Sequence, residues 1–308
     1  MASAVVFAYH NVGVRCLSVL LAHGVDVPLV VTHDDNPQET IWFDSVAKLA
    51  QRHRIRVITP ADPNSSDVIA RIAACQPDYL FSFYYRHMLS PAVLALARVG
   101  AFNMHGSLLP AYRGRVPVNW AIIHGETRTG ATLHVMNEKP DNGAIVDQQA
   151  VPILPDDTAR EVFDKVTVAA EITLDRCLPP LLSGHATLRQ QDLGQGGYFG
   201  GRTPEDGRIH WQQTAAQIHN LVRAVSPPYP GAFADIAGAR VRILRSYRIS
   251  AKELPVFDRP TLFIAENRLL LQAGDGNYLE ILDMDCNGEP VTPAILAMRC
   301  GIAYPFSL

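Results

Sequence analysis

The chain has 308 residues, 48% of them hydrophobic and 19% charged, a length and balance that allow a sizeable core in two domains and exclude a disordered or fibrous protein. A formal net charge of −3 gives no sign of a polyanion-binding surface and weighs against a nucleic acid as partner, because phosphate neutralisation needs clustered Lys and Arg, though a local basic patch stays open. The five cysteines (positions 16, 75, 177, 286 and 300) are odd in number and lack a C-x-x-C pair, which fits reduced thiols better than a disulfide framework or a zinc site.

No leader of the secretory kind opens the chain: the apolar run at residues 5–9 is too short. Nothing approaches the roughly 18 consecutive apolar residues of a membrane span. A cytoplasmic protein with no membrane insertion is expected.

Residues 5–9 (VVFAY) read as a buried strand, residues 10–13 as the turn after it, and residues 17–21 as the start of a helix ending near Gly24. Without G-x-G-x-x-G, this strand–loop–helix does not signal a dinucleotide. Residues 27–32 read as the next strand. His33, Asp34, Asp35 and Asn36 have metal-ligand chemistry, but Asn36-Pro37 followed by Glu39 is also a helix cap, and the cap is preferred. Ile41, Val46, Leu49 and Ala50 suit one helix face, and residues 56–59 another strand. A helix after Ser65 and Ser66, a strand over residues 79–85 and a helix from Ser90-Pro91 to before Gly100 continue the rhythm. Alternation of this kind predicts a mainly parallel sheet wrapped by helices.

The chain then reaches AFNMHGSLLPAYRGRVP, residues 101–117. In a strand alternate side chains share a face, so Asn103 and His105 point one way while Phe102 and Met104 pack on the other. The strand end opens through Gly106 and Ser107 into the basic loop Tyr112, Arg113, Gly114, Arg115. Open α/β sheets hold their ligands at such strand ends.

Residues 118–124 are predicted helical and residues 131–136 a strand. Thr158 and Glu161 form a capping box for a helix towards Cys177, ended by Pro179 and Pro180. Asp156 and Asp157 fit the helix dipole. His124, His134, His210 and His219 lack metal-ligand spacing and read as structural or surface groups. The Gly-rich, polar stretch after residue 189 marks the domain boundary, giving a domain over 1–189, a linker over 190–204 and a second domain over 205–308. A helix over 215–224 precedes strands at 241–249, 261–264, 268–273 and 278–284, which predict a small β-barrel or an open sheet.

The pattern N-x-H-G-S-L-L-P-x-Y-R-G-R from Asn103 to Arg115, with Lys139-Pro140-Asp141-Asn142-Gly143 downstream, resembles the signature of the folate-dependent formyltransferases. Phe7-Ala8-Tyr9-His10, the stretch from Thr32 to Pro37, the stretch from Phe81 to His87 and FGGRTPEDGRIHW (residues 199–211) occur in the expected order and resemble in particular the formyltransferase half of the bifunctional polymyxin-resistance enzymes. Those enzymes process UDP-4-amino-4-deoxy-L-arabinose for lipid A modification; the wider family includes methionyl-tRNA formyltransferases and other sugar-nucleotide formyltransferases.

The resemblance implies a Rossmann-like sheet followed by a β-barrel-like C-terminal domain, 10-formyltetrahydrofolate as formyl donor, no metal, and a nucleotide-linked aminosugar as acceptor. It also implies roles: Asn103 as oxyanion donor, His105 as general base or proton shuttle, and Asp141 as support for His105. The folate is expected against His87, Met88 and Leu89, against Arg115, and along Asn137, Glu138, Lys139 and Pro140; for Met88 and Leu89 the backbone is the expected contact. Arg113 is a comparable anion contact, and Tyr9, His10 and Asn119 lie in the sequence neighbourhood of a nucleotide site. With the chain ending at Leu308, only the formyl-transfer step is expected of it. Methionyl-tRNA as acceptor, or water in a formyltetrahydrofolate hydrolase, are the alternatives.

Overall fold

The computed structural model describes residues 2–250 and 254–308. The first apolar run forms β1 (Ser3–Ala8) and passes directly into α1 (His10–Ala22), so the predicted turn at residues 10–13 is the helix's first turn. Gly13 permits this: a Cβ there would stand 3.1 Å from that of Ala8 and 3.0 Å from Val46 Cγ2. Then follow β2 (Asp26–Val31), α2 (Val46–Arg52), β3 (Arg56–Ile58), α3 (Ser66–Cys75), β4 (Tyr79–Phe83), the short α4 (Pro91–Leu94) and β5 (Gly100–His105). Next come β6 (Arg113–Gly114), α5 (Pro117–Ile123), β7 (Arg128–Val135), β8 (Ile145–Pro152), α6 (Ala159–Leu182) and β9 (Tyr198–Phe199).

The main sheet runs β3-β2-β1-β4-β5-β7-β8; the first five strands are parallel, and β7 and β8 are antiparallel additions. This is a Rossmann-like α/β sheet whose strand order reverses between β1 and β4. Both faces are covered, which explains why β1 and β4 read as continuous apolar runs. On one face Val5, Phe7, Leu29, Val31, Leu80 and Ala101 pack with Val68 and Ile72 of α3 and Val93 of α4. On the other, the rings of Tyr79, Phe81 and Phe83 stack in a row, with the Phe102 ring tilted against Phe81. Each fully buried side chain of this size contributes roughly 1.5–3 kcal/mol, against about 0–1 for an exposed ion pair, so this two-faced core holds the sheet.

Three expectations are corrected. Asn36 does not cap a helix: its side chain accepts from the Gln38 amide, while Glu39, needed to close the cap, instead takes a two-bond grip on the Arg86 guanidinium, 2.8 Å each. The helix begins at Val46, with Ser45 Oγ accepting from the Lys48 amide, and Ile41 is exposed. Pro179 and Pro180 do not end α6, which continues to Leu182; the carbonyls that lose a donor belong to Asp175 and Arg176 on the exposed face, so no buried acceptor is left unpaired by the prolines. Strand β8 went unpredicted because, as the last member of the sheet, its middle is polar and only half-buried, with no clean alternation.

The C-terminal part begins with α7 (Ala215–Val225), closed by the capping box of Thr214 and Gln217. It continues through β10 (Ala232–Ile236), β11 (Ala239–Ile249), β12 (Thr261–Ala265), β13 (Arg268–Gln272), β14 (Tyr278–Cys286), β15 (Glu289–Pro290), α8 (Pro293–Cys300) and β16 (Phe306–Ser307). These strands form an antiparallel half-barrel sheet in the order β10-β11-β14-β13-β12-β16, with β15 on β14.

The chain divides into two compact units. One comprises the described residues up to Pro117 with Arg128–Pro152 and Phe163–Gly200; the other comprises Val118–Thr127, Ile153–Val162 and Gly201–Leu308. All five cysteines are free, and burial first of all pushes the Cys177 thiol up to about 12. Among the described residues no helix is long and apolar enough to cross a membrane.

Candidate active site

Strand β5 delivers two polar side chains to one face, as the alternation predicts. Asn103 lies opposite His134 of β7 in the antiparallel register, and its Nδ2 is 3.1 Å from His134 Nε2. His105 ends the strand and is 6% exposed. Its Nε2–H donates to the Tyr112 carbonyl (2.8 Å), which leaves Nδ1 turned to Asp141, 3.5 Å from Oδ1. The same Oδ1 is 3.3 Å from His134 Nε2, and Oδ2 accepts the Gly114 N–H at 2.8 Å.

Two imidazoles and one amide thus converge on one carboxylate. Burial alone would raise the Asp141 pKa, but the opposing pull of His105, of the His134 hydrogen bond and charge, and of the Gly114 N–H is larger, and the group is held well below the usual carboxylate range. Asp141 also sits at φ +56, a backbone region that few non-glycine residues occupy. Strain of this kind is concentrated at functional sites.

The loop after β5 is fixed from both sides. Thr132 Oγ donates to the Ser107 carbonyl and accepts from the Leu109 amide, and Gln148 Nε2 donates to the Leu109 carbonyl at 2.8 Å. Further along, Arg113 donates to Asn142 Oδ1 and to the Gly196 carbonyl, 3.0 Å each, and to the Leu193 carbonyl at 3.3 Å. Gln191 Nε2 donates to the carbonyls of Asp141 (2.9 Å) and Gly143 (2.6 Å). Strands β6 and β9 pair, and the rings of Tyr112 and Phe199 stack with centroids 5.1 Å apart. Only a residue without a Cβ fits at Gly114, where φ is +100 and an added Cβ would stand 2.2 Å from the Phe199 carbonyl oxygen. Residues 191–199, linker-like in composition, are therefore a strap built into this site.

The remaining candidates are distributed as follows. His87 and Met88 are exposed beyond β4, whereas Leu89 is 7% exposed and belongs to the apolar cluster of the sheet. The segment is pinned by Asn64, which donates to the Met88 carbonyl (3.0 Å) and accepts from the Ser90 amide (2.7 Å). Just before it, His33 Nε2 accepts the Arg86 N–H; burial, then the neighbouring His87 and Arg86, lower this imidazole to about 4, so that it is neutral and able to accept. Arg115 has an exposed side chain and an amide that donates to the Phe199 carbonyl at 2.9 Å. Asn137, Glu138 and Lys139 are exposed and Pro140 half-buried, in a loop turned by Asn137 Oδ1 accepting from the Lys139 amide. Met136, at the head of that loop, packs on the same cluster as Leu89.

Tyr9 and His10 are engaged within the protein: Tyr9 Oη donates to Asp35, and the His10 ring lies 3.9 Å from that of Phe43. Asn119 is buried and donates to the Ala224 carbonyl at 2.7 Å. His134, set aside in the sequence as structural, sits between Asn103 and Asp141. Arg113 is a candidate anion contact only, Gly114 enters the sequence reading only as part of the basic loop and the shared signature, and Gln191 carries no signal; their contacts depend on chain pairing that spacing does not reveal. Among the described residues no cluster of His, Cys, Asp and Glu could hold a metal ion.

An amide donor, an imidazole and a supporting carboxylate suit acyl transfer with proton movement. Several solved structures share the whole fold. An N-formyltransferase from Helicobacter canadensis, in complex with folinic acid and dTDP-3-aminofucose, is 21% identical with a TM-score of 0.70, covering 91% of this chain and 99% of that one. WlaRD, a sugar 3N-formyl transferase in the presence of dTDP and 5-N-formyl-THF, is 20% identical with a TM-score of 0.72, covering 94% and 99%. A sugar N-formyltransferase from a Shewanella species is 20% identical with a TM-score of 0.63, covering 83% and 99%. The sequence profile of the family described as Formyl transferase matches residues 16–178, more than half of the chain, and that described as Formyl transferase, C-terminal domain, matches residues 202–295. The chain belongs to the formyl transferase family.

Proposed function

We propose that this enzyme transfers the formyl group of 10-formyltetrahydrofolate to the amino group of a nucleotide-linked aminosugar, and specifically of UDP-4-amino-4-deoxy-L-arabinose. The observation that carries the reading is the convergence of Asn103, His105 and Asp141 at the end of β5. Folinic acid and dTDP-3-aminofucose in the Helicobacter canadensis relative support the two substrate classes. The finer choice of sugar rests on the motifs shared with the polymyxin-resistance enzymes.

The formyl donor brings an activated acyl carbon, and the residues do the rest. Asn103 donates its amide N–H to the carbonyl oxygen as it gains charge during attack by the acceptor amine; one such donor is worth about 3 kcal/mol of barrier. With Nε2–H held on the Tyr112 carbonyl, the lone pair of neutral His105 is on Nδ1 beside Asp141; Nδ1 takes up the proton that the attacking nitrogen loses, and Asp141 stabilises the imidazolium so formed. When the bond between the formyl carbon and N10 breaks, His105 returns that proton to N10. A formamide and tetrahydrofolate leave. The exposed edge formed by His87 and Met88, anchored through buried Leu89 and Asn64, offers a rigid backbone to a planar heterocycle, and Arg115 with the loop Asn137–Glu138–Lys139–Pro140 offers polar contacts for the remainder of the folate.

Mass spectrometry after incubation with 10-formyltetrahydrofolate tests the proposal, with UDP-4-amino-4-deoxy-L-arabinose, other nucleotide aminosugars, methionyl-tRNA and no acceptor in parallel. A gain of one formyl group on the UDP-aminoarabinose is the expected result. Gain on another sugar keeps the reaction and overturns the sugar; transfer to tRNA, or formate released without acceptor, overturns the proposal.

A further inference from the structure

His134 touches both ends of the constellation yet has no part in the reaction as described. It is 1% exposed, and both ring nitrogens are engaged. Nδ1 faces the Val135 carbonyl at 2.9 Å, and since a carbonyl oxygen only accepts, Nδ1 carries a hydrogen. Nε2 faces Asn103 Nδ2 at 3.1 Å and Asp141 Oδ1 at 3.3 Å. Those two neighbours ask for opposite things: the amide nitrogen wants a lone pair and the carboxylate wants a hydrogen. The state of this one nitrogen therefore decides which end of the Asn103 amide faces it and how much of the Asp141 charge remains for His105.

We propose that His134 is a positioning residue that couples the oxyanion donor Asn103 to the carboxylate Asp141. The inference rests on the formyl-transfer reading, in which Asn103 and His105 act on the two ends of the same carbonyl chemistry. The groups facing Asp141 are His105 from β5, His134 from β7 and the Gly114 amide from β6, with Gln191 on its backbone carbonyl and Arg113 on the adjacent Asn142. Of the two imidazoles on the carboxylate, it is His134 that also holds Asn103, at 3.1 Å. Without His134, the amide loses its anchor and the carboxylate charge is shared by His105 and the Gly114 amide only.

Steady-state kinetics on His134→Leu and His134→Gln separate this role from packing. A carboxamide at 134 can accept from Asn103 with its oxygen and donate to Asp141 with its nitrogen; leucine can do neither. His134→Leu is expected to lower kcat on the order of 100-fold, the scale of a misplaced reacting group, with KM for both substrates within about threefold of the parent. His134→Gln is expected to recover at least about tenfold of the lost kcat. A kcat for His134→Leu within twofold of the parent, or equal losses in both variants, overturns the proposal. Should His134→Leu not fold, ¹⁵N NMR of the His134 ring in the parent and in Asn103→Ala decides: the Nε2 resonance is expected to move, and an unchanged resonance overturns the coupling. The NMR result does not depend on the substrate, so absence of formyl transfer in the parent enzyme would count against the functional reading alone.

Discussion

His105 and Asp141 face one another with Nδ1 3.5 Å from Oδ1, while the other carboxylate oxygen is held at 2.8 Å by the amide of Gly114. The imidazole and the loop carrying Gly114 are thus referenced to one buried anion. Chemistry and scaffold share a single charge, and substitutions around it are expected to separate the two.

Asn103→Ala removes a donor and leaves a small space beside β7. A fall in kcat of about 10²–10³-fold is expected. His105→Ala is expected to cost about 10²–10⁴-fold. Neither side chain is part of the apolar core, so thermal melts by circular dichroism should stay within a few degrees of the parent; turnover near normal in either variant would take that residue out of the mechanism.

Asp141→Asn couples activity to stability. A carboxylate whose folded pKa lies below its unfolded value of about 3.9 contributes stability above that value and loses it as pH falls through the folded pKa. The variant is expected to be less stable at pH 7 by roughly 2 kcal/mol, with severe loss of turnover. Denaturant titrations from pH 7 down should show the gap full above about pH 4 and closing below it. A gap independent of pH would mean that the charge plays no part in holding the site.

Gly114→Ala drives a methyl group against the Phe199 carbonyl at a φ of +100. The expected cost is about 2–4 kcal/mol, well above that of an exposed glycine replacement, with kcat falling in step as the Gly114 N–H leaves Asp141. Differential scanning calorimetry with parallel assays checks both; a melting temperature like the parent's would show that the strap yields freely.

Gln191→Ala leaves the carbonyls of Asp141 and Gly143 without their donor. Roughly 1–3 kcal/mol of stability should be lost. A drop in kcat of about tenfold, with little change in KM, is expected from the loosened carboxylate. Unchanged kcat in this variant would limit the strap to a role in folding.

The sequence was most informative where chemistry and local geometry coincide. Strand alternation alone put Asn103 and His105 on one face, and the rhythm of strands and helices announced a mainly parallel sheet wrapped by helices. Contacts set by long-range pairing were not legible. His134 acquires its meaning only from its register opposite Asn103, and Gln191 only from a fold that brings residues 191–199 back to Asp141. Local signals also misled where a tertiary partner outcompeted them: Glu39 left its cap for Arg86, and α6 ran through two prolines because their missing hydrogen bonds fall on the wet side.

The strap has a consequence in time as well as in space. A chain emerging from the ribosome has every residue of the Asn103, His105 and Asp141 group once it has passed β7 and the turn beyond, long before Tyr198 and Phe199 exist to pair with Arg113 and Gly114. Until that late pairing, nothing from residues 191–199 grips the loop, and the nascent chain carries Asn103, His105 and Asp141 without those contacts. Residues 191–199 are thus the last part of the site to be synthesised, and a chain that ends before them lacks the Gln191 and β9 contacts that hold the loop.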